Sequence, residues 1–548
     1  MSASVIRSTH VERIDLRPEL TQHLRQRLQA FREGFRHNLA LVGPAGSGKT
    51  FKLHQLLQEQ PTNLLVIYCP QYRESCRSFL HRFAVTILQA GLTGASEPAG
   101  TAGEPRAPLE ELLRSAEGRL PKTTAALRSL EGFFGRRLYA EAFNRTLDAI
   151  PVLIEERRLP CVLILDEFLF LEELGLGHAF HELGKRVMTW PTTLFILASS
   201  FPYRTRAILR ERLQLLFGQF ELLNFDPPDP RHAGAWVRQE LGTLRGAKTV
   251  SPFLIRWLGV HPWYLSVFLK RIKELAALRQ TREVTATLFF QTAWDVLGSP
   301  EGILHQWCVS RMESLAHLRL GARAMEALMQ IAAGARTATD IGRHLGRAGL
   351  PGTLQLLMEH DLVQRKGMCW VIPDPILRCW LVAILSVQRS GSGLGEGAVR
   401  ARFEQYLSAA WSHWVQSTQL SFSEQVTRLF TNFRDDIVSL DSKTGRLQRF
   451  STVTVQRPAA MQGSAVYLTA EGEGRRWCCT VQEGLVDEST VAHFDAFCRA
   501  QVPRPSRKIV ITRRGVEDNA RLLAKANNMW VWAADDVKVL LDLYGHNP

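Results

Sequence analysis

"LVGPAGSGKTFKL", residues 41–53, is the stretch that decides the fold. It runs from apolar residues through a glycine-rich loop to Lys49 and Thr50, and then into the helical periodicity of "FKLHQLLQEQ". "GPAGSGKT" fits GxxxxGK[ST] in full, with Gly43, Gly48, Lys49 and Thr50 at the required places. The pattern has a physical content. A strand delivers the chain to a loop whose backbone N–H groups surround a phosphate, and the next helix points its positive end at the same spot. A Cβ would block the close approach and the unusual backbone angles, which is why glycines recur. Gly43, Pro44, Ala45, Gly46, Ser47 and Gly48 are thus expected to cradle the phosphates of ATP. Lys49 is expected to reach the β- and γ-oxygens, and Thr50 to offer a hydroxyl to Mg²⁺.

Outward from this loop, "NLALVG", "NLLVIYC", "CVLILDEF" and "TLFILASS" are short apolar runs, each followed by helical periodicity. That is the signature of a parallel sheet buried on both faces. "CVLILDEF" ends in Asp166 and Glu167. It is expected to lie beside the loop strand, with Asp166 holding Mg²⁺ through water and Glu167 polarising the water for in-line attack. The plainer reading of Asp166 is a helix N-cap. "LFILASSFPYRTR" places Ser199 and Ser200 at a strand end, where a hydroxyl would sit near the γ-phosphate, a sensor position. Arg204 and Arg206 follow on an expected loop and could touch phosphate, in the same chain or from a neighbouring subunit, or be solvated charges.

The chain has 548 residues, enough for three or four domains at roughly 100–200 residues each. No apolar run reaches the ~18–20 residues that cross a bilayer. The first residues, "MSASVIRSTHVERIDLRPEL", lack the apolar core of a signal peptide, so a cytoplasmic protein with no membrane partner is expected. Nine scattered cysteines without CxxC spacing point to reduced, mostly buried thiols. The net charge of +14 favours a polyanion such as nucleic acid. "GLTGASEPAGTAGEPRAP" (91–108) reads as a flexible insertion, "DPPDP" (226–230) as a sharp break, and "RSGSGLGEG" (389–397) as an interdomain linker.

The order of elements resembles the archaeal-type branch of the AAA+ and STAND ATPases, relatives of the origin-recognition ATPases. "LLFGQFELLNFDPPDP" is similar to the family's Gly-Arg segment, and "LGVHPWYLSVFLKRI" to its lid element. "LVQRKGMCWVIPDPILRCWL" (362–381) is similar to its wing and to its Asp-Pro signature, at Asp374 and Pro375. The resemblance implies that His261 and Pro262 lie at the nucleotide edge. It implies an α/β fold: a P-loop ATPase parallel sheet with a helical lid, a winged-helix domain and a C-terminal nuclease-like α/β domain. The implied boundaries are 1–228 for the ATPase core, 229–316 for the lid, 317–388 for the winged helix and 398–548 for the restriction-endonuclease-like domain. Where the family has an arginine that completes a neighbour's site, this chain has Gln219, after Gly218. That departure implies slow hydrolysis, or a substitute from Arg206, Arg210 or Arg212.

Residues 321–371 read as three helices and a short hairpin. The third helix offers Thr353 and Gln355 but no Arg or Lys before Arg365, which argues against base readout by this helix. In the last domain Thr480, Val481 and Gln482 stand where a nuclease of the PD-(D/E)xK type needs Glu-x-Lys, so nuclease chemistry is not expected. Residues 201–280 carry 13 Lys plus Arg against six Asp plus Glu, a face that could follow DNA phosphates. The leading expectation is an oligomeric, ATP-hydrolysing machine or switch acting on duplex DNA, its C-terminal domain binding DNA or a protein partner. The competing expectation is a STAND-type signalling switch that recruits a protein without DNA.

Overall fold

The computed structural model describes residues 14–58, 63–93, 108–211, 220–242, 244–390, 395–440, 443–457 and 465–545. It divides into two compact units, Met1–Thr292 with Glu359–Asp361, and Ala293–Met358 with Leu362–Pro548. Most of the 91–108 insertion, residues 94–107, lies outside the described residues, as do residues 391–394 of the 389–397 linker.

The first unit is built on five parallel strands: β1 (Asn38–Val42), β2 (Leu65–Pro70), β3 (Cys161–Asp166), β4 (Thr193–Ser199) and β5 (Phe220–Asn224), in the spatial order β2-β3-β4-β1-β5. Each of the first four is buried along nearly its whole length and apolar through its middle, because both faces are covered. Alternate residues go to opposite cores. Ile67, Leu163, Leu165, Phe195 and Leu197 pack with one set of helices. Leu39, Leu41, Val66, Ile164 and Ile196 pack on the other side with Leu24, Leu28 and Phe31 of α1 (Pro18–Arg32) and Leu53 and Leu56 of α2 (Lys49–Gln58). Between β2 and β3 stand α3 (Cys76–Thr93), α4 (Leu109–Ala116), α5 (Pro121–Arg128), α6 (Leu130–Gly135) and α7 (Tyr139–Arg157), more helix than a plain strand–helix alternation leads one to expect. Then come α8 (Ala179–Thr189) and α9 (Pro202–Glu211), and after β5 the helices α10 (Pro230–Glu240), α11 (Ala247–Leu258), α12 (Pro262–Leu278) and α13 (Ala286–Ala293).

The sheet order corrects one expectation. β3 does not lie beside β1: β4 stands between them, paired to both, with Val42 opposite Ser199 and Asp166 opposite Ala198. The end of β4 therefore separates the phosphate-loop strand from the acidic pair.

The second unit begins with α14 (Ile303–Ala316), α15 (Gly321–Ala332), α16 (Ala338–Leu345) and α17 (Leu350–Glu359), followed by the hairpin β6 (Gln364–Lys366) and β7 (Cys369–Val371). Three more helices, α18 (Pro375–Trp380), α19 (Ser386–Ser390) and α20 (Glu396–Gln419), lead to α21 (Phe422–Thr431) and a second hairpin, β8 (Asp436–Leu440) with β9 (Lys443–Leu447). The C-terminal sheet follows in the order β10 (Thr452–Gln456), β11 (Val466–Gly472), β12 (Arg475–Gln482), β13 (Arg507–Thr512) and β14 (Met529–Trp532). Its first three strands are antiparallel and its last two join in parallel. α22 (Glu488–Ala500) and α23 (Asp518–Ala526) cover one face, while α21 and α24 (Ala534–Tyr544) cover the other. All nine cysteines are free thiols, eight of them buried. Among the described residues no helix is long and apolar enough to cross a membrane.

Candidate active site

The chain leaves β1 at Gly43, where an added Cβ would stand 2.5 Å from the Cβ of Phe225. Only glycine fits there without moving the residue after β5. Gly46 has φ +73°, in the left-handed region, and an added Cβ would come within 2.8 Å of His261 Cε1. These two positions give the loop glycines separate causes: close packing at the first, backbone angle and the approach of α12 at the second.

Lys49 opens α2 and is buried, at 3% exposure. Its Nζ donates to the carbonyls of Gly43 (2.9 Å) and Pro44 (3.1 Å) and to Ser200 Oγ (2.9 Å). Burial lowers its pKa, against the attraction of Glu167 and Asp166. Thr50 donates its hydroxyl to Asp166 Oδ2 at 2.7 Å, and Tyr68 donates to the same oxygen at 2.8 Å. The other carboxylate oxygen, Oδ1, is buried and has no hydrogen-bond partner. An ionised oxygen left in that condition is costly unless a cation or donor meets it. Asp166 caps no helix, so its plainer reading does not hold.

Glu167 follows with φ 56° and ψ 41°, a left-handed conformation for a residue with a Cβ. Such strain costs on the order of 1–3 kcal/mol and persists where the surroundings impose it. Here the backbone N–H of Ser200 donates to Oε2 at 2.9 Å and the Ser200 hydroxyl donates to Oε1. Burial raises the Glu167 pKa above the ordinary glutamate value, countered by Lys49 and by the Ser200 hydrogen bonds.

Of the two serines at the end of β4, Ser200 reaches the site and Ser199 does not. Ser199 is fully buried, and its Oγ accepts from the backbone N–H of Phe201. Successive strand residues face opposite ways, so one residue decides which hydroxyl meets Lys49. Arg204 and Arg206 lie on α9 rather than on a loop, because Pro202 starts a helix at once. Arg206 donates to Asn224 Oδ1 at 3.0 Å, and Arg204 pairs with Glu172 at 2.6 Å. Arg210 also lies on α9, whereas Arg212, Gly218 and Gln219 lie outside the described residues. His261 N-caps α12 and places Nε2 2.9 Å from the carbonyl of Ala45, and Pro262 is the first residue of that helix. The start of α12 and the loop are thus in contact at Ala45 and Gly46.

Two neighbours of the loop were not read from the sequence. Tyr68, in β2, is one of the two donors that fix Asp166. Arg17 donates from Nη1 to the carbonyl of Ser47 and from Nε to that of Asp226, each at 2.9 Å, with its guanidinium over the Phe225 ring. Burial pulls its pKa down to about 10, against the charges of Asp226 and Asp15. The one hint in sequence is a basic residue just before Pro18, the first residue of α1.

The donor set fits a nucleotide-bound divalent cation. Among the described residues there is no cluster of three or more His, Cys, Asp or Glu side chains able to hold a metal by themselves. Mg²⁺ commonly takes one or two carboxylates and completes its shell with phosphate and water oxygens. Thr50 and Asp166, with its unpartnered Oδ1, supply that kind of partial shell.

No match was found among curated proteins. Similar solved structures include the Walker-type ATPase PABY2304 of Pyrococcus abyssi, 17% identical over 67% of this chain and 95% of that one, with a TM-score of 0.45. The ORC2 protein of Aeropyrum pernix, in ADPNP–ADP complexes, is 15% identical over 73% of this chain and 96% of its own, with a TM-score of 0.42. RuvB of Thermotoga maritima, a Holliday junction branch migration motor, is 13% identical over 65% and 95%, with a TM-score of 0.32. Residues 14–175, which hold the phosphate loop, the acidic pair and the strands that carry them, match the AAA ATPase domain family.

Proposed function

We propose that this chain binds ATP with Mg²⁺ at the β1–α2 loop, hydrolyses it slowly, and works as an oligomeric machine or switch on duplex DNA. The observation that carries the nucleotide reading is the convergence on one spot of Lys49, Thr50 and the buried, half-satisfied carboxylate of Asp166. In this reading the loop N–H groups from Gly43 to Gly48 hold the phosphates, and Thr50 and Asp166 hold the metal. Bound Mg²⁺ would offset charge developing on the transferred phosphoryl group. Lys49 turns from the loop carbonyls to the phosphate oxygens. Glu167, its carboxylate oriented by Ser200, positions the attacking water and accepts its proton. Ser200, bonded to both Lys49 and Glu167, links phosphate recognition to water activation. His261 and Pro262 close the nucleotide edge. Arg206 is the candidate for the arginine that Gln219 does not supply.

The DNA reading rests on the net charge of +14 and on the basic excess in residues 201–280. We further assign residues 317–388 to a winged helix and 398–548 to a nuclease-like domain without nuclease chemistry. The order of three helices and a hairpin supports the first. For the second, Thr480 is fully buried on β12, and no Glu-x-Lys pair stands beside it. Within that domain Arg507 lies between Trp477 and Trp530, and Lys508 pairs with Asp495, whereas Arg504, Arg513 and Arg514 are exposed.

Phosphate release from ATP, measured with and without Mg²⁺ and with and without duplex DNA, tests the proposal. Mg²⁺-dependent release that DNA changes is the expected result. Release indifferent to DNA, from a protein that also fails to bind it, would favour the signalling-switch reading.

A further inference from the structure

The second unit carries a cleft of about 610 Å³ that the nucleotide site does not use. One wall is α16 and the turn before it, with Arg336 in the turn and Arg343 and His344 in the last turn of the helix. The other wall brings Arg434 and Asp436 from the turn into β8. A second hollow of about 400 Å³ shares Arg336 and Arg434 and adds Arg449.

Backbone contacts tie the walls together. Trp370 N–H donates to the carbonyl of Arg336 at 2.7 Å, and Met368 N–H donates to that of Ile437 at 3.0 Å. At the tip of the β6–β7 hairpin, Gly367 sits so close to β8 that an added Cβ would meet Ser439 N at 2.6 Å. Cys369 of the same hairpin is part of the C-terminal core. The cleft is therefore preorganised by packing.

Its charges are unbalanced. Three arginines and a histidine face two carboxylates in the cleft, the second hollow adds a fourth arginine, and both carboxylates are engaged. Asp340 accepts from Thr337 in a capping box and pairs with Arg343. Asp436 accepts from the Tyr544 hydroxyl at 2.8 Å. Arg336 lies over the Tyr544 ring, 4.8 Å from its centroid, and its Nη1 is buried without a hydrogen-bond partner. Burial lowers the Arg336 pKa and the neighbouring Arg434 charge adds to it, against Tyr544 and Asp436, and an anion there would oppose the two lowering effects. The two rings lining the second hollow, Phe433 and Tyr544, are buried at 2% and 1% exposure and offer no face for a base to stack on. The chemistry that fits is phosphate oxygen accepting from guanidinium, read without regard to base.

We propose that this cleft holds the phosphodiester backbone of DNA, through Arg336, Arg434 and Arg449, with Arg343 and His344 at its rim. The identity of the ligand rests on the DNA reading above, while the cleft is independent of the nucleotide site.

The test is binding of a labelled, mixed-sequence duplex to the full chain across a salt series, by fluorescence anisotropy. Arg434→Glu with Arg449→Glu alters two exposed residues and should leave the melting temperature unchanged. It should weaken binding at least about tenfold and reduce the slope of log affinity on log salt by about 2, since each phosphate contact contributes about 0.9. Arg336→Ala should act in the same direction. Arg504→Glu with Arg514→Glu makes the same change in net charge outside the cleft and should cost much less. If the cleft pair binds with wild-type affinity and slope, or loses no more than the outside pair, the cleft assignment is overturned and the DNA reading stands. A wild-type chain with no salt-dependent DNA binding overturns both.

Discussion

Glu167 combines a left-handed backbone with a half-buried carboxylate held by both polar groups of Ser200. Neither feature helps folding, and both aim the side chain. Glu167→Gln keeps the shape and removes the base. It is expected to bind ATP within about threefold of wild type while phosphate release falls by about 100-fold or more. A normal release rate would remove Glu167 from its proposed role. Burial also predicts a pH effect. Because the Glu167 pKa is raised, the carboxylate needed for water activation is present above that raised value and is lost as pH falls through it. The acid limb of kcat/KM, which reports the nucleotide-free chain, should lie above the usual glutamate range, and it should be absent from the residual rate of the Gln variant. A limb at or below ordinary glutamate values would contradict this.

At the scale of elements, the phosphate loop is shaped by what packs on it. Gly43→Ala forces a methyl into Phe225 and should cost about 1–3 kcal/mol, read as a lower denaturation midpoint. An unchanged midpoint would mean that Phe225 moves aside freely. Much of this architecture was legible. The four apolar runs of the first sheet and the Asp166–Glu167 strand end stand out because both faces of a parallel sheet must be apolar. The strand order was not legible, since periodicity reports burial and not which strand is the neighbour. For the same reason Ser199 and Ser200 are equal candidates in the sequence: the choice between them depends on a single-residue alternation at the end of β4. Pro202 is a helix-start signal, but the basic run after it fits a loop equally well. Arg17 and Tyr68 act through contacts between segments far apart in sequence, which leave no local pattern. The hairpin β8–β9 mixes polar and apolar residues without a clear period, and β10 alternates Thr and Val over only five mostly exposed residues, too short a run to stand out.

For the whole molecule, the two units carry separable chemistry. The first gathers a phosphate loop and an acidic pair on one parallel sheet. The second builds an arginine-lined cleft at a joint of its own. The net charge of +14 makes any DNA affinity strongly dependent on ionic strength, and affinities should be compared only at matched salt. Nucleotide binding in the first unit underlies every other step. Isothermal titration of the pure, folded chain with ATP and with ADP, in the presence of Mg²⁺, tests it most directly. The expected result is saturable binding at one site per chain, weakened at least about tenfold by Lys49→Ala, which removes the charge facing the phosphates. Folded wild-type protein that takes up neither nucleotide would contradict it.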